Sequence, residues 1–162
     1  MESHDFASHV HNYLSQFILA ADQKAAFTLA ASSAVLGFLI SRLSDDSHLH
    51  SLCFWLPAIL AALLLMTAAG LAAIAVRPRQ NGIKSGLVAW GGILKSANAD
   101  EYVASVDKAD RLSEVLGHCY TLSVIVRRKY ALLKCAIDFF IVGSAVTILF
   151  LVIAAVERHA HP

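Results

Sequence analysis

Three stretches of this sequence contain no charged residue, and their lengths constrain the fold more than any other feature. They cover 25–40, 52–76 and 139–156, or 16, 25 and 18 residues. A helix needs about 20 apolar residues to cross a hydrocarbon core of about 30 Å, and flanking residues extend the two shorter stretches to that length. We therefore predict an all-α membrane protein whose three transmembrane helices cover 25–43, 52–76 and 131–156.

Composition agrees with this class, and the distribution of charge predicts an orientation. Charged residues make up 15% of the chain and the mean hydropathy is +0.62, which is too apolar for an ordinary soluble domain. The segment 77–129 holds nine of the thirteen Lys and Arg residues, whereas 43–51 holds two acidic residues and no Lys or Arg. By the positive-inside rule, the N-terminus and 77–129 are expected to be cytosolic.

Two of the transmembrane helices are predicted to continue beyond the membrane. Apolar residues recur at helical spacing over 6–24, and nothing breaks the pattern before the first span, so one helix is expected over 6–43. Asp110 is expected to cap a second long helix over 111–156. Residues 1–24 would then form one stalk, and 77–129 would supply a glycine-containing loop, a short helix capped by Asn98 and a second stalk. The two parallel stalks are expected to pair in a small helical cytosolic head.

Charged residues are expected to collect where the stalks enter the membrane. Asp22 and Lys24 lie on the first helix, and Arg127, Arg128 and Lys129 lie at the same expected depth on the last. One interpretation is an ion-pair cluster that fixes the helix register, with lysines that reach toward the membrane surface. The other is an anion-binding collar, because Arg and Lys groups beside a dry boundary bind phosphate well.

Aromatic residues of the predicted head provide candidates for contact with a nucleotide base. The aromatic residues of this part of the chain are Tyr13, Phe17, Trp90, Tyr102 and Tyr120. Aromatic faces stack on bases, but aromatic residues at helical spacing are also common in ordinary cores. Trp90 is the least core-like of the five, because two glycines follow it directly.

Several classes of chemistry lack any signature in the sequence. The three cysteines form no CxxC pair, and the histidines show neither HExxH nor repeated HxxxH spacing. There is also no GxSxG motif, no P-loop and no carboxylate pair suited to acid–base catalysis. We therefore expect no metal, no cofactor and no enzymatic activity.

A series of short motifs resembles one known family over about residues 10–156. In chain order they are Asn12-Tyr13, Ala21-Asp22-Gln23-Lys24-Ala25-Ala26, Gly86-Leu87-x-x-Trp90-Gly91, Glu101-Tyr102, and Tyr120-x-Leu122-Ser123-x-Ile125-x-x-x-Lys129-Tyr130. Their order and spacing are similar to those of the transmembrane effectors of Pycsar anti-phage systems.

The resemblance implies a function that composition and spacing alone do not. In that family a separate pyrimidine nucleotide cyclase makes cyclic CMP or cyclic UMP on infection, and the effector senses it and impairs the membrane, causing abortive infection. It implies a multi-pass protein of the bacterial inner membrane, with the lipid bilayer and a cyclic pyrimidine mononucleotide as partners and no nucleic acid. The motif positions carried over as ligand-binding candidates are Tyr13, Asp22, Lys24, Trp90, Tyr120 and Lys129; the collar adds Arg127 and Arg128.

Two further expectations concern partners and alternatives. Small residues recur every four positions in the spans, as in Ser33-x-x-x-Gly37 and Gly143-x-x-x-Thr147, a spacing that allows close helix approach within or between protomers. We therefore expect a homo-oligomer. The alternative function is a non-catalytic membrane adaptor or scaffold whose head docks a protein and binds no nucleotide. A small transporter or channel would instead predict broken helices or more intramembrane polar residues.

Overall fold

The computed structural model is all-α over the residues it describes, which are 3–45, 52–77, 87, 93–94 and 96–160. Within these ranges it contains no strand. Its four helices are α1 (Ser3–Asp45), α2 (Leu52–Val76), α3 (Ala99–Lys108) and α4 (Arg111–Ala160). The predicted all-α class is confirmed, and the helices expected over 6–43 and 111–156 extend two to four residues further.

Three of these helices are long and apolar enough to cross a membrane: Asp5–Ser44, Trp55–Val76 and Arg111–Glu157. At about 1.5 Å per residue, α1 and α4 are about 64 and 75 Å long, more than twice the hydrocarbon core of about 30 Å. Large apolar side chains such as Phe27 and Leu56 are exposed on their surfaces. Exposure on this scale is unusual for a soluble domain and normal for a surface covered by lipid. The predicted three-span membrane protein is confirmed.

The chain divides into two compact units, and α1 and α4 contribute to both. The polar unit comprises Met1–Ala21 and Arg77–Tyr130, and the membrane unit comprises Asp22–Val76 and Ala131–Pro162. The helix α2 belongs to the membrane unit and α3 to the polar unit.

Contacts inside the membrane unit define the directions of its three helices. Ala25 of α1 clusters with Ala75 of α2 and Leu133 of α4. Further along, Leu39 of α1 clusters with Ala58 of α2 and with Phe150 and Ala154 of α4. Residue numbers thus rise together in α1 and α4 and fall in α2. The helices α1 and α4 are parallel and α2 is antiparallel to both, as a three-span chain requires.

The inward side of α2 is made of small residues, which lets the helices approach closely. Its fully buried residues are Ala58, Ala61, Leu65, Ala68 and Ala72. On α4, a Cβ atom added to Gly143 would lie 3.1 Å from Cγ of Leu65 and 3.2 Å from Cβ of Leu64. The close approach predicted from the Gly143 motif is therefore made between α4 and α2. Gly37 has no such neighbour within 4 Å.

Hydroxyl groups are buried among these apolar residues. Thr28 and Thr147 donate hydrogen bonds of 2.9 Å to the carbonyl oxygens of Lys24 and Gly143, one turn earlier on the same helices. This pattern satisfies a hydroxyl without a partner from lipid or from another helix. The Oγ atoms of Ser32 and Ser144 are also buried, and within the described part of the chain they have no hydrogen-bond partner.

The helices of the polar unit begin at polar caps, as the sequence predicts. Asn98 Oδ1 accepts from the backbone N–H of Glu101 at 2.8 Å, and the Glu101 carboxylate accepts from the N–H of Ala97 at 2.7 Å. These bonds satisfy amide donors that a helix start leaves open. Asp110 caps α4 in the same way, because its Oδ1 accepts from the N–H of Leu112 at 3.2 Å.

Candidate functional site

In the polar unit α1 and α4 pair in parallel, as predicted for the two stalks. The Cys119 thiol lies 4.0 Å from the carbonyl oxygen of Ala7, and the His118 ring stacks on that of His11 with 5.4 Å between centroids. About three turns further along both helices, ten residues after Ala7 and eleven after Cys119, Phe17 and Tyr130 are in ring contact. Residue numbers rise together along the pair, so the two helices run in the same direction.

Three aromatic rings form a cluster on this helix pair. Tyr13 and Phe17 are one turn apart on α1, with 4.6 Å between ring centroids, and Tyr130 of α4 lies 6.2 Å from Phe17. Both ring pairs are tilted by 51°, a favourable arrangement for aromatic quadrupoles. Tyr13 is 60% exposed, so its ring has a surface on which a planar ligand can stack.

The basic candidates of α4 lie directly before Tyr130. Arg127 and Arg128 are exposed and Lys129 is half-buried. Since Tyr130 also belongs to the aromatic cluster, three cationic side chains and an aromatic surface occupy neighbouring positions of one helix. Guanidinium groups bind phosphate through two parallel hydrogen bonds, so the exposed Arg127 and Arg128 can bind a phosphate group.

Tyr120 lies on the same face of α4 as the first of these arginines. It precedes Arg127 by seven residues, which is about two turns or 10 Å along the helix axis. Its side chain is 74% exposed. The structure thus places Tyr120 on α4 away from the described ring contacts of Tyr13, Phe17 and Tyr130.

Trp90 lies outside the described residues, but the structure fixes the chain three residues before it. The N–H of Leu87 donates to the Glu114 carboxylate of α4 at 3.0 Å, and the Leu87 carbonyl accepts from the Tyr102 hydroxyl of α3 at 2.9 Å. Two residues of the motif series, Leu87 and Tyr102, are thereby in direct contact. The motif pair Glu101-Tyr102 thus has a structural role, because Glu101 caps α3 and Tyr102 holds Leu87.

Asp22 and Lys24 belong to the membrane unit, whereas the basic residues 127–129 belong to the polar unit. The collar that would join all five residues draws on both units, so both of its interpretations remain predictions. Within the membrane unit, Lys24 is exposed and lines a cavity between α1 and α4.

The stacked histidines have an unusual electrostatic environment. His118 is half-buried, and burial, followed by the nearby charge of His11, lowers the pKa of His118 below its ordinary value of 6.5. Both effects oppose a positive charge on this ring. The described residues contain no group of three or more His, Cys, Asp and Glu side chains that could hold a metal ion.

Sequence reasoning did not select two residues that organise this region. Tyr130 completes the aromatic cluster of Tyr13 and Phe17, and Glu114 accepts a hydrogen bond from Leu87. Tyr130 ends the last motif, so it had a sequence signal, which was interpreted as family pattern. Glu114 had none, because its partner is a backbone amide 27 positions earlier.

Comparison with known proteins identifies a family. A family model described as the Pycsar effector protein domain matches residues 6–156 of the chain. The match includes every described residue discussed in this section, and it confirms the resemblance drawn from the motifs. No curated protein and no solved structure matches the chain.

Proposed function

Because the chain belongs to the Pycsar effector family, we propose that it senses a cyclic pyrimidine mononucleotide and then impairs the bacterial inner membrane. The family supports a role in anti-phage defence, and the three apolar helices support action at a membrane. In this proposal the signal is cyclic CMP or cyclic UMP from a separate pyrimidine nucleotide cyclase. The effector itself performs no catalysis, and the result is abortive infection.

The observation that carries the proposal is the continuity of α1 and α4. Each is a single helix, and each contributes residues to both the polar and the membrane unit. A ligand shifts a conformational equilibrium by its different affinities for the two states. A ligand that favours one arrangement of the α1–α4 pair in the polar unit therefore acts on the same two helices that build the membrane unit.

The proposed ligand matches the chemistry of the polar unit. A cyclic mononucleotide carries one phosphate charge, which Arg127 and Arg128 can neutralise, and a planar base, which can stack on Tyr13. We include Lys129, Tyr120 and Trp90 as further candidate contacts because they belong to the family motifs. Asp22 and Lys24 complete the set in the collar hypothesis.

Self-association is a second part of the proposal. Large apolar side chains of the polar unit are exposed, with Leu94 at 72%, Val103 at 56% and Phe6 at 52%. Large apolar side chains gain free energy when an interface removes them from water. We propose that this surface belongs to a second copy of the chain. Size-exclusion chromatography with light scattering, with and without nucleotide, measures the stoichiometry; a monomer under both conditions would contradict it.

Ligand binding is tested by thermal unfolding of the full-length protein in detergent. Cyclic CMP or cyclic UMP is expected to raise Tm in a concentration-dependent manner, while cyclic AMP and cyclic GMP leave it unchanged. The R127Q/R128Q double variant should lose this shift. The matched control is R111Q, which changes an exposed arginine of the same helix that pairs with Asp107 one turn away. If no cyclic nucleotide changes Tm, the sensing proposal fails and the adaptor alternative gains support.

Membrane impairment is tested separately in vesicles that contain the purified protein. Addition of the stabilising nucleotide should collapse a preset potassium diffusion potential, reported by a voltage-sensitive dye. Vesicles with R127Q/R128Q should hold their potential, whereas R111Q vesicles should lose it. Binding without any change of potential would retain the sensor and reject the proposed membrane action.

A further inference from the structure

The membrane unit contains a cavity of about 430 Å³ between α1 and α4. Lys24, Phe27 and Thr28 line it from α1, and Ile137, Phe140 and Ile141 line it from α4. We propose that this cavity binds an anionic phospholipid, with the phosphate on Lys24 and part of an acyl chain against the apolar wall. The volume falls within the range of about 300–1,000 Å³ typical of small-molecule sites.

The wall of the cavity favours a hydrocarbon chain over a nucleotide. Its large side chains are Phe27, Ile137, Phe140 and Ile141, none of which can form a hydrogen bond. The Thr28 hydroxyl already donates to the carbonyl oxygen of Lys24 at 2.9 Å. A ribose or a pyrimidine edge placed here would lose its hydrogen bonds with water and gain few in return, which is costly. An acyl chain has no such bonds to lose.

The positive charge of Lys24 favours a lipid with an anionic headgroup. Of the residues that line the cavity, Lys24 carries a charge and Gln23 an amide, and the uncharged stretch 25–40 begins directly after Lys24. A lysine at this position lies where apolar helix gives way to polar sequence, which is the level of phospholipid headgroups. Its ammonium has three N–H donors, so it can hold a phosphate oxygen beside an acceptor from the protein.

This proposal competes with the collar hypothesis for Lys24, and it does not depend on nucleotide binding at Arg127 and Arg128. It assigns the positive charge of Lys24 to a lipid phosphate, whereas the collar hypothesis assigns it to a soluble phosphate. A lipid phosphate and a soluble phosphate can both accept hydrogen bonds from the Lys24 ammonium. They differ in how the rest of the molecule fits the residues around that ammonium. The acyl chain of a lipid can pack against the apolar wall, whereas a soluble phosphate has no apolar group that could do so.

The test is binding of matched lipids to the full-length protein, measured by native mass spectrometry from detergent. Phosphatidylglycerol and phosphatidylcholine with identical acyl chains are compared. We expect phosphatidylglycerol to bind about fivefold more tightly, as one lysine near an anionic headgroup provides. The K24Q variant should abolish this preference. K134Q should keep it, because Lys134 is an exposed lysine on α4 of the same unit that does not line the cavity.

Two outcomes would overturn the proposal. One is an unchanged lipid preference in K24Q whose Tm equals that of the unmodified protein. The other is an equal loss in K24Q and K134Q, which would indicate a general charge effect. An I141W variant adds an independent check, because the larger ring fills the cavity and should weaken binding of both lipids.

Competition distinguishes the two sources of phosphate. Inorganic phosphate and cyclic CMP at millimolar concentration should leave bound phosphatidylglycerol in place. Displacement by either would assign Lys24 to a soluble phosphate and reject the lipid site. Retention of the lipid would support it whether or not cyclic CMP binds elsewhere on the protein.

Discussion

The membrane unit and the polar unit are stabilised in different ways. In the membrane unit, Leu39 of α1 and Phe150 of α4 are completely buried and cluster with Ala58 and Ala61 of α2. Leu65 of α2 is also completely buried. Among the described residues of the polar unit, the buried ones are few and mostly small, namely Ala7, Ala21, Cys119 and Leu122. Directional hydrogen bonds at Asn98, Asp110 and Leu87 supplement them.

This difference indicates where the protein can respond to a signal. Regions with few buried apolar contacts and partly exposed hydrogen bonds open at lower free energy than densely packed ones. A ligand that binds only the ordered form stabilises such a region directly. In the proposed function, the polar unit is therefore the part expected to respond to the ligand, and the membrane unit is a packed structure whose rearrangement costs free energy.

The largest expected effect comes from Phe150→Ala in the membrane unit. Removing a completely buried ring leaves a cavity, and Phe→Ala changes of this kind cost about 3 kcal/mol or more. We expect a clear fall in Tm of the detergent-purified protein. Leu149→Ala is the control, because Leu149 is 54% exposed on the next position of α4. Equal losses for both variants would mean that Phe150 has no special packing role.

The next effect tests the close approach of α4 and α2. In Gly143→Leu the new side chain would meet Leu64 and Leu65, and overpacking of this kind costs about 1–3 kcal/mol. Thermal unfolding should show a loss that Gly37→Leu does not, since Gly37 has open space around it. A tolerated Gly143→Leu would show that the helices separate easily, and the contrast between the units would weaken.

A moderate effect is expected where hydrogen bonds hold the polar unit. Glu114→Ala removes the charged acceptor of the Leu87 N–H, a bond worth about 1.5 kcal/mol or more. We expect faster amide hydrogen exchange at Leu87. Asp107→Ala should leave the exchange unchanged, because its ion pair with Arg111 is exposed and such pairs contribute little.

A smaller effect is expected at the start of α3. Asn98→Ala removes the oxygen that accepts from the N–H of Glu101, and loss of an N-cap costs about 1 kcal/mol. Exchange at the first amides of α3 should accelerate, while that of α2 stays constant. Asn98→Asp retains an acceptor and should restore protection; failure to do so would argue against the capping role.

The smallest effect is a dependence of the polar unit on pH. Because the pKa of His118 is lowered in the folded state, the unfolded chain binds this proton more readily. Stability is therefore present in full above the ordinary pKa of 6.5 and falls as the pH drops below it. Tm measured from pH 7.5 to 5.5 should decline less in His118→Gln than in the unmodified protein. Parallel curves for the two proteins would exclude His118 as the cause.

Much of the fold could be predicted because its signals are local. The uncharged stretches mark the spans, and Asn98 and Asp110 mark helix starts by a chemistry that acts within three residues. The packing between helices was harder to predict from the sequence. Gly37 and Gly143 both follow a small-residue pattern, yet only the latter meets another helix closely, because the pattern does not encode which face of a helix turns inward.

The candidate site shows the same limit. Sequence motifs could select Tyr13 and the basic residues of α4 by type. The contact between Phe17 and Tyr130 depends on the register of two helices far apart in the chain, and the bond between Glu114 and Leu87 depends on the path of a loop. Neither has a local signature. The collar of Asp22, Lys24 and 127–129 stays a prediction for the same reason.

The buried alanines of α2 also restrict how this sequence can change over time. At Ala58, Ala61, Ala68 and Ala72 every replacement except glycine adds atoms to a space that is already full, and glycine weakens the helix. Mutational drift is thus blocked on one side of α2 and free on the other, where Leu63 and Met66 are exposed. Diverged descendants of this protein should differ freely in their outward apolar residues and keep the inward ones small.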